Sequence, residues 1–431
     1  MTGERKLSLT RIVLPPLVVC FLVIGLPIWY LGAKGYIEPL LHPGKQAGDR
    51  VIFYDWADFY GAGKLVAQGE SSRIYDDAAL GPEQRRVLGL SDHSTASMPF
   101  SNPPFLAVAF APLACVSTPI AIGLIGLAGL LLTLAAAVAL KQFLRPKNRL
   151  LGLVFIAGFI TLWPVGDSFA LGQLSMLLLL AWLAFVALQA EGHELAGGVG
   201  LALLLTKPQL AIVPLFITVV QRRRRVFLAF LAAAAALGVV SLAAYGPGFV
   251  VDYPASLLAR AGWDHFEFGH AQHFYGWNGL LALAVPYGSR LHVPILICLD
   301  AATLAALVPA WRSSVKPSSP KFLYGSSATL LATLLIDPHL LLHDLALVAL
   351  ALAFSVRAAE IEGQNGRTWL WICAGMWFAL FIGPVLQVNF ITPLLLILLA
   401  VNIREAVRSD AEASTAGPRA QDVAAPARAA A

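Results

Sequence analysis

Charge is what this 431-residue chain has least of. Only 13% of its residues are Asp, Glu, Lys or Arg, where an ordinary soluble domain carries about a quarter. Cysteine is scarce as well. Cys20, Cys115, Cys298 and Cys373 all sit inside apolar runs, where they read as small core or lipid-facing residues, and they show no metal-ligand spacing. Also missing is the alternation of apolar and polar residues that barrel strands require. No small-residue cleavage site follows the first apolar run, so Val13 to Leu31 reads as a retained helix and not as a signal peptide. A net charge of +5 and a pI near 9.0 do not point to nucleic acid. The positive residues cluster in short loops, Arg222-Arg223-Arg224-Arg225 and Arg312 to Lys321, where they set topology and offer contacts to anionic headgroups.

Apolar residues take the place of charge: 58% of the chain, with a mean hydropathy of +0.73. Leu- and Ala-rich runs of roughly 15–25 residues recur along it, lengths that suit a hydrocarbon layer about 30 Å thick. Spanning backbone without water must be helical or form a closed barrel. The chain is therefore expected to be an all-α, polytopic helical membrane protein. A basic start, Met1 to Arg11, places the amino terminus in the cytoplasm. Two long hydrophilic stretches, about 34–102 and 246–290, read as outer loops. Residues 1–408 form one membrane domain, and 409–431, rich in Ala, Pro and charge, a disordered cytoplasmic tail.

The apolar segments are one too many to join a cytoplasmic start to a cytoplasmic tail. We read 195–220 as a single helix kinked at Lys207-Pro208, since proline bends a membrane helix without having to end it. That choice turns the basic segment Lys141 to Arg149 outward. The rival makes 103–117 re-entrant and keeps those charges inside.

Chemistry concentrates in Tyr54-Asp55-Trp56-Ala57-Asp58-Phe59-Tyr60-Gly61-Ala62-Gly63, which follows the first helix. Carboxylates beside hydrocarbon are costly and call for a function. Asp55 and Asp58 are three apart, on one face if helical, and either carboxylate can act as a general base for a hydroxyl that becomes acidic only as it attacks. The bland alternative is a pair of helix caps. His339 and His343 are four apart, a spacing that also suits metal ligands, but no Glu-x-x-His context or third ligand accompanies them. No metal and no cofactor is expected. Lys207, inside an apolar run, needs an anion or a route to the surface. The aromatic residues Trp56, Phe59, Tyr60, Trp263, Phe266, Tyr275 and Trp277 read as an interfacial belt. Arg260, His265, His270 and His273 form a polar loop able to cover a site.

Several blocks together resemble the GT-C superfamily of membrane glycosyltransferases, most closely glycosyltransferase family 87. They are Asp55-Trp56 through Tyr60-Gly61-Ala62-Gly63 to Ile74-Tyr75-Asp76; Phe100-Ser101-Asn102-Pro103-Pro104; Gly172-Gln173-Leu174-Ser175; Lys207-Pro208-Gln209; and Asp337-Pro338-His339 through His343-Asp344-Leu345. The resemblance implies about twelve transmembrane helices. It also implies a polyprenyl-phosphate-linked sugar donor, a glycolipid or glycan acceptor, and inverting transfer of a hexose, mannose, at the extracytoplasmic face of the plasma membrane. Asp55 is the expected base, with Asp58 able to tune or replace it, and His339 faces the leaving phosphate. Lys207, Gln173, Tyr60, His343 and Asp344 are expected to bind substrate. Ser175, Asp337 and His343 depart from the family pattern, which usually has Asn, Ser and Tyr there. A lipid-linked sugar flippase, or a polysaccharide ligase or polymerase, remains as the alternative; a flippase would show inverted repeats, and none is visible.

Overall fold

The computed structural model describes residues 19, 21–23, 25–34, 36–37, 55–88, 98–146, 149–267, 274–312, 315–364, 366–386 and 388–415. Among them all regular structure is helical. The helices are α1 (Phe21–Lys34), α2 (Asp55–Ala67), α3 (Asp77–Val87), α4 (Pro104–Phe110), α5 (Thr118–Leu144), α6 (Arg149–Ile160), α7 (Trp163–Leu171), α8 (Ser175–Ala190) and α9 (Glu194–Leu203). They continue with α10 (Gln209–Val220), α11 (Arg224–Tyr245), α12 (Phe249–Glu267), α13 (Gly276–Ala282), α14 (His292–Trp311), α15 (Pro320–Ile336), α16 (Leu347–Ile361), α17 (Gly366–Leu386) and α18 (Ile391–Thr415).

By length and apolarity, three of these, α5, α11 and α14, are able to cross a membrane; α6 and α7, bent by 49° at their junction, make a fourth if taken as one span. The dozen spans expected from sequence are not reached by this measure, because several other apolar runs are cut into shorter helices, some of them at Pro or Gly. The long helices carry rows of exposed Leu, Val and Ile, such as Leu124, Leu127, Leu131 and Leu134 on α5 and Leu228, Leu231 and Val239 on α11, a surface suited to hydrocarbon. At the centre stands α15, buried from Lys321 to Leu335 and packed by α10, α14, α16 and α18. Helices in lipid lack a hydrophobic drive towards one another and associate through close packing of small residues and interhelical hydrogen bonds. Both are present. Gly325 lies so close to Trp311 that a Cβ there would come within 2.8 Å of the indole. Ser355 donates to Ser327 (3.0 Å) and lies 2.7 Å from Asn402 Oδ1, joining α15, α16 and α18.

Arginine-rich turns and ion pairs mark one end of the helices. There Arg223 donates to Gln189 (3.1 Å) and to the Val315 carbonyl (3.2 Å), Lys321 pairs with Asp410 (2.8 Å), and Arg408 with Glu362 (2.7 Å). The opposite end holds Asp167, Asp337 and Asp344 around Lys207, beside the mixed charges of α2 and α3.

This arrangement overturns the fused helix at 195–220. After the break at Lys207, α10 turns back, and its end lies beside Arg223, which touches Gln189 of α8 next to the start of α9. The segment is a helical hairpin with both feet at the basic end and Lys207 at its tip. The other alternative is favoured for 103–117. Before α4, the Asn102 carbonyl accepts from Tyr75 (2.8 Å), and after it Thr118 lies 3.4 Å from the Tyr60 hydroxyl, so both ends abut the α2–α3 unit.

Three further expectations change. Trp56, Phe59, Tyr60 and Tyr275 are core residues, each 4% exposed or less, and do not form a belt. Helix α18 runs on to Thr415, into the segment expected to be a disordered tail; residues 416–431 lie outside the described residues. Of the polar loop, His270 and His273 lie outside the described residues, and Arg260 and His265 fall on α12.

Candidate active site

Two residues that precede proline build the site. A proline ring clashes with the helical conformation of the residue before it and pushes that residue towards extended backbone. Lys207, before Pro208, has φ −129° and ψ 86°, which ends a 3₁₀ turn over Leu204–Thr206 and turns the chain at the hairpin tip. Asp337, before Pro338, has φ −59° and ψ 113° and closes α15. The connection from Asp337 to α16 then carries His339, His343 and Asp344, the last two in a 3₁₀ turn, Leu342–Ala346. His339 and His343 therefore do not share a helix face as their spacing suggested. Asn278 donates to the Pro338 carbonyl (2.6 Å), fixing the turn from α13.

The tip of the hairpin meets this connection. Lys207 Nζ donates to both oxygens of Asp344 (2.7 and 2.9 Å) and lies 3.3 Å from His343 Nε2. Asp344 is fully buried, and Ser175, the first residue of α8, donates to it at 3.2 Å. Nε2 of His343 also lies 3.4 Å from Asp344 Oδ2, so this ring nitrogen faces both members of the pair. Its Nδ1 faces Asp167 Oδ2 at 3.9 Å. Burial alone would raise the pKa of Asp344, but Lys207 and His343 outweigh it and hold the carboxyl well below the usual range. Asp337 is equally buried without a cation of its own. Burial first, and then the charge of Asp344, push it up to about 6, although the His339 backbone N–H (2.9 Å) and the cations nearby oppose this. Its second oxygen has no hydrogen-bond partner among the described residues.

Asp55 stands near this cluster, at the start of α2. It is the first residue of that helix, 9% exposed, and within electrostatic reach of Asp167. Its position depends on Gly172, which ends α7 with φ +70°. A Cβ there would come within 2.6 Å of Trp56, so only glycine lets the first turn of α2 settle against α7. The sequence-derived site is thus partly brought together. Asp55, Lys207, His339, His343 and Asp344 lie at one end of the bundle, His339 packing its ring against Phe274.

The other candidates stand apart. Asp58 is 2% exposed and accepts from Gln84 (3.0 Å), which also binds both backbone groups of Met98, so it ties α2 to α3. Tyr60 is packed between α2 and α5. Gln173 lines a separate, mostly apolar cavity of about 270 Å³ between α4, α5 and the α7–α8 connection, with its Oε1 unpartnered among the described residues. Two residues were missed. Asp167 was legible as a carboxylate in an apolar stretch, which marks function by default; Ser175 was noted only as a departure from pattern. Among the described residues no three His, Cys, Asp or Glu side chains converge as metal ligands.

All-helical among the described residues, with membrane-length apolar helices and with a partly buried lysine and several carboxylates at one end, the structure has the features of a membrane protein that keeps a polar cluster at the edge of its helical layer. The chain is a member of glycosyltransferase family 87, whose family model matches residues 100–338. It is therefore a glycosyltransferase. The match includes Asp167, Ser175, Lys207 and Asp337, while Asp55, His339, His343 and Asp344 lie outside it. No curated protein and no solved structure matched the chain.

Proposed function

We propose that this glycosyltransferase moves a hexose, mannose, from a polyprenyl-phosphate carrier to a glycolipid or glycan acceptor at the extracytoplasmic face of the plasma membrane, with inversion. The observation that carries the proposal is that Asp55 stands within electrostatic reach of Asp167, at the same end of the bundle as the Lys207, His343 and Asp344 cluster and opposite the Arg222–Arg225 turn. Basic residues favour the cytoplasmic side, so the carboxylate end faces outward. The alternating helix directions, with α4 re-entrant and α9 and α10 as separate arms, support a chain of about twelve passes through a layer that it thins locally.

In this reading Asp55 accepts the proton of the acceptor hydroxyl as the anomeric bond breaks. His339 donates to the departing phosphate, whose growing charge it stabilises in the transition state. Lys207 supplies a fixed positive charge at the hairpin tip. Asp58 serves by holding α2 in place. Asp55→Asn keeps the shape of the side chain and removes its basicity, so transfer of labelled sugar from polyprenyl-phosphate mannose by the purified variant is expected to fall about 10²–10⁴-fold with donor binding retained. A loss smaller than about tenfold excludes Asp55 as the base.

A further inference from the structure

At the end of the bundle opposite the carboxylates, a cleft of about 740 Å³ opens between the start of α9, the α10–α11 turn and the end of α14. Its lining holds five guanidinium groups, Arg222, Arg223, Arg224, Arg225 and Arg312, against one carboxylate, Glu194. Arg223 is drawn inward. It donates to Gln189 and to the Val315 carbonyl and lies over the Phe322 ring, 5.2 Å from its centre. The turn that carries these residues is tight, with Arg222 at φ +53°, a conformation uncommon for a side chain other than glycine. No ion pair reaches Arg222, Arg224, Arg225 or Arg312 among the described residues, and all four are exposed. Topology needs positive charge at this end, but it does not need a strained turn that groups the charges around one concavity. Val220 and the edges of the buried Trp311 and Val315 add a small apolar margin to this mainly polar cleft.

We propose that this cleft is a binding site for a phosphate-bearing anion, supplied by the headgroup of an anionic membrane phospholipid. Guanidinium groups bind phosphate oxygens in pairs through their planar fork, and exposed arginines at a helix end that positive charge assigns to the cytoplasmic leaflet stand at the level of its anionic headgroups. The site is independent of the transfer chemistry at the far end.

The test uses the full-length protein in detergent, titrated with phosphatidylglycerol, with phosphatidylcholine and with inorganic phosphate, while bound lipid is counted by native mass spectrometry and thermal unfolding is followed. The comparison is Arg224→Gln/Arg312→Gln, which leaves three arginines to hold topology. Wild type is expected to retain phosphatidylglycerol and to gain thermal stability from it, and the variant to bind it about thirtyfold more weakly, at about fivefold for each cation near the headgroup. Saturation and stabilisation by inorganic phosphate to the same degree would keep the cleft and assign it to a soluble phosphate compound. Equal retention of phosphatidylglycerol by both proteins, or equal retention of phosphatidylcholine and phosphatidylglycerol by wild type, would overturn the site and leave the arginines as topology signals alone.

Discussion

At the scale of single residues, Lys207 holds the most informative position. Its ammonium is engaged by both oxygens of a buried carboxylate, so a simple reading of it as a phosphate ligand overlooks what removing it does. Breaking a buried pair by deleting one partner leaves the other charge stranded, at a cost of about 3–5 kcal/mol. Lys207→Ala is therefore expected to lose stability and activity together, which a kinetic assay alone would misread. Lys207→Met combined with Asp344→Leu removes both charges and is expected to recover most of the stability, since apolar replacements of buried pairs are often neutral. Thermal unfolding and transfer measured on both variants separate the two roles. A double variant that unfolds like wild type but fails to transfer assigns the pair to the chemistry; one that still transfers confines it to the fold.

At the scale of elements, the site rests on helix ends. Those set by a residue before proline were open to reading in advance: Lys207-Pro208 and Asp337-Pro338 carry their backbone instruction in two letters. Whether proline kinks a membrane helix or reverses it was not open in the same way, because neighbouring helices decide how the freed backbone groups are satisfied. The hairpin of α9 and α10 follows from packing on α8, α11 and α15, contacts that no local pattern encodes. Burial of Tyr60 and Trp56 was hidden for the same reason: an aromatic near a membrane boundary looks alike in a belt and in a core. Gly172 lies between these cases, since its motif was visible and its purpose was not. Gly172→Ala forces a Cβ against Trp56 and strains a left-handed turn. It is expected to displace the first turn of α2, lowering kcat by about tenfold or more for a misplacement near 1 Å while the bundle core stays folded. Transfer rates set beside thermal unfolding of this variant check the claim, and an unaltered kcat would detach α2 from the proposed chemistry.

For the whole molecule, the arginine-rich turns at one end predict a sidedness that can be measured. With α9 and α10 as separate arms, the turn between α8 and α9 lies at the arginine end; a fused helix would have put it on the opposite side. A cysteine at Glu191, an exposed position in that turn, is expected to resist a membrane-impermeant thiol reagent in intact cells. One at Ser72, exposed beside α2, is expected to react. Labelling at Glu191 with protection at Ser72 would invert the molecule in the membrane.

The carboxylate end has a further consequence for traffic. Asp55, Asp167, Asp337 and Asp344 gather there around Lys207, whose charge Asp344 already matches. A phosphate-bearing donor would then approach a doorway of its own sign. Most enzymes of charged substrates draw them in, and added salt slows them by screening the attraction. Here the field opposes arrival, so dissolved ions should ease it: kcat/KM for the donor is expected to climb between low and moderate ionic strength, where it would ordinarily decline. A falling curve would mean that the doorway is less acidic in the working enzyme than its four carboxylates suggest.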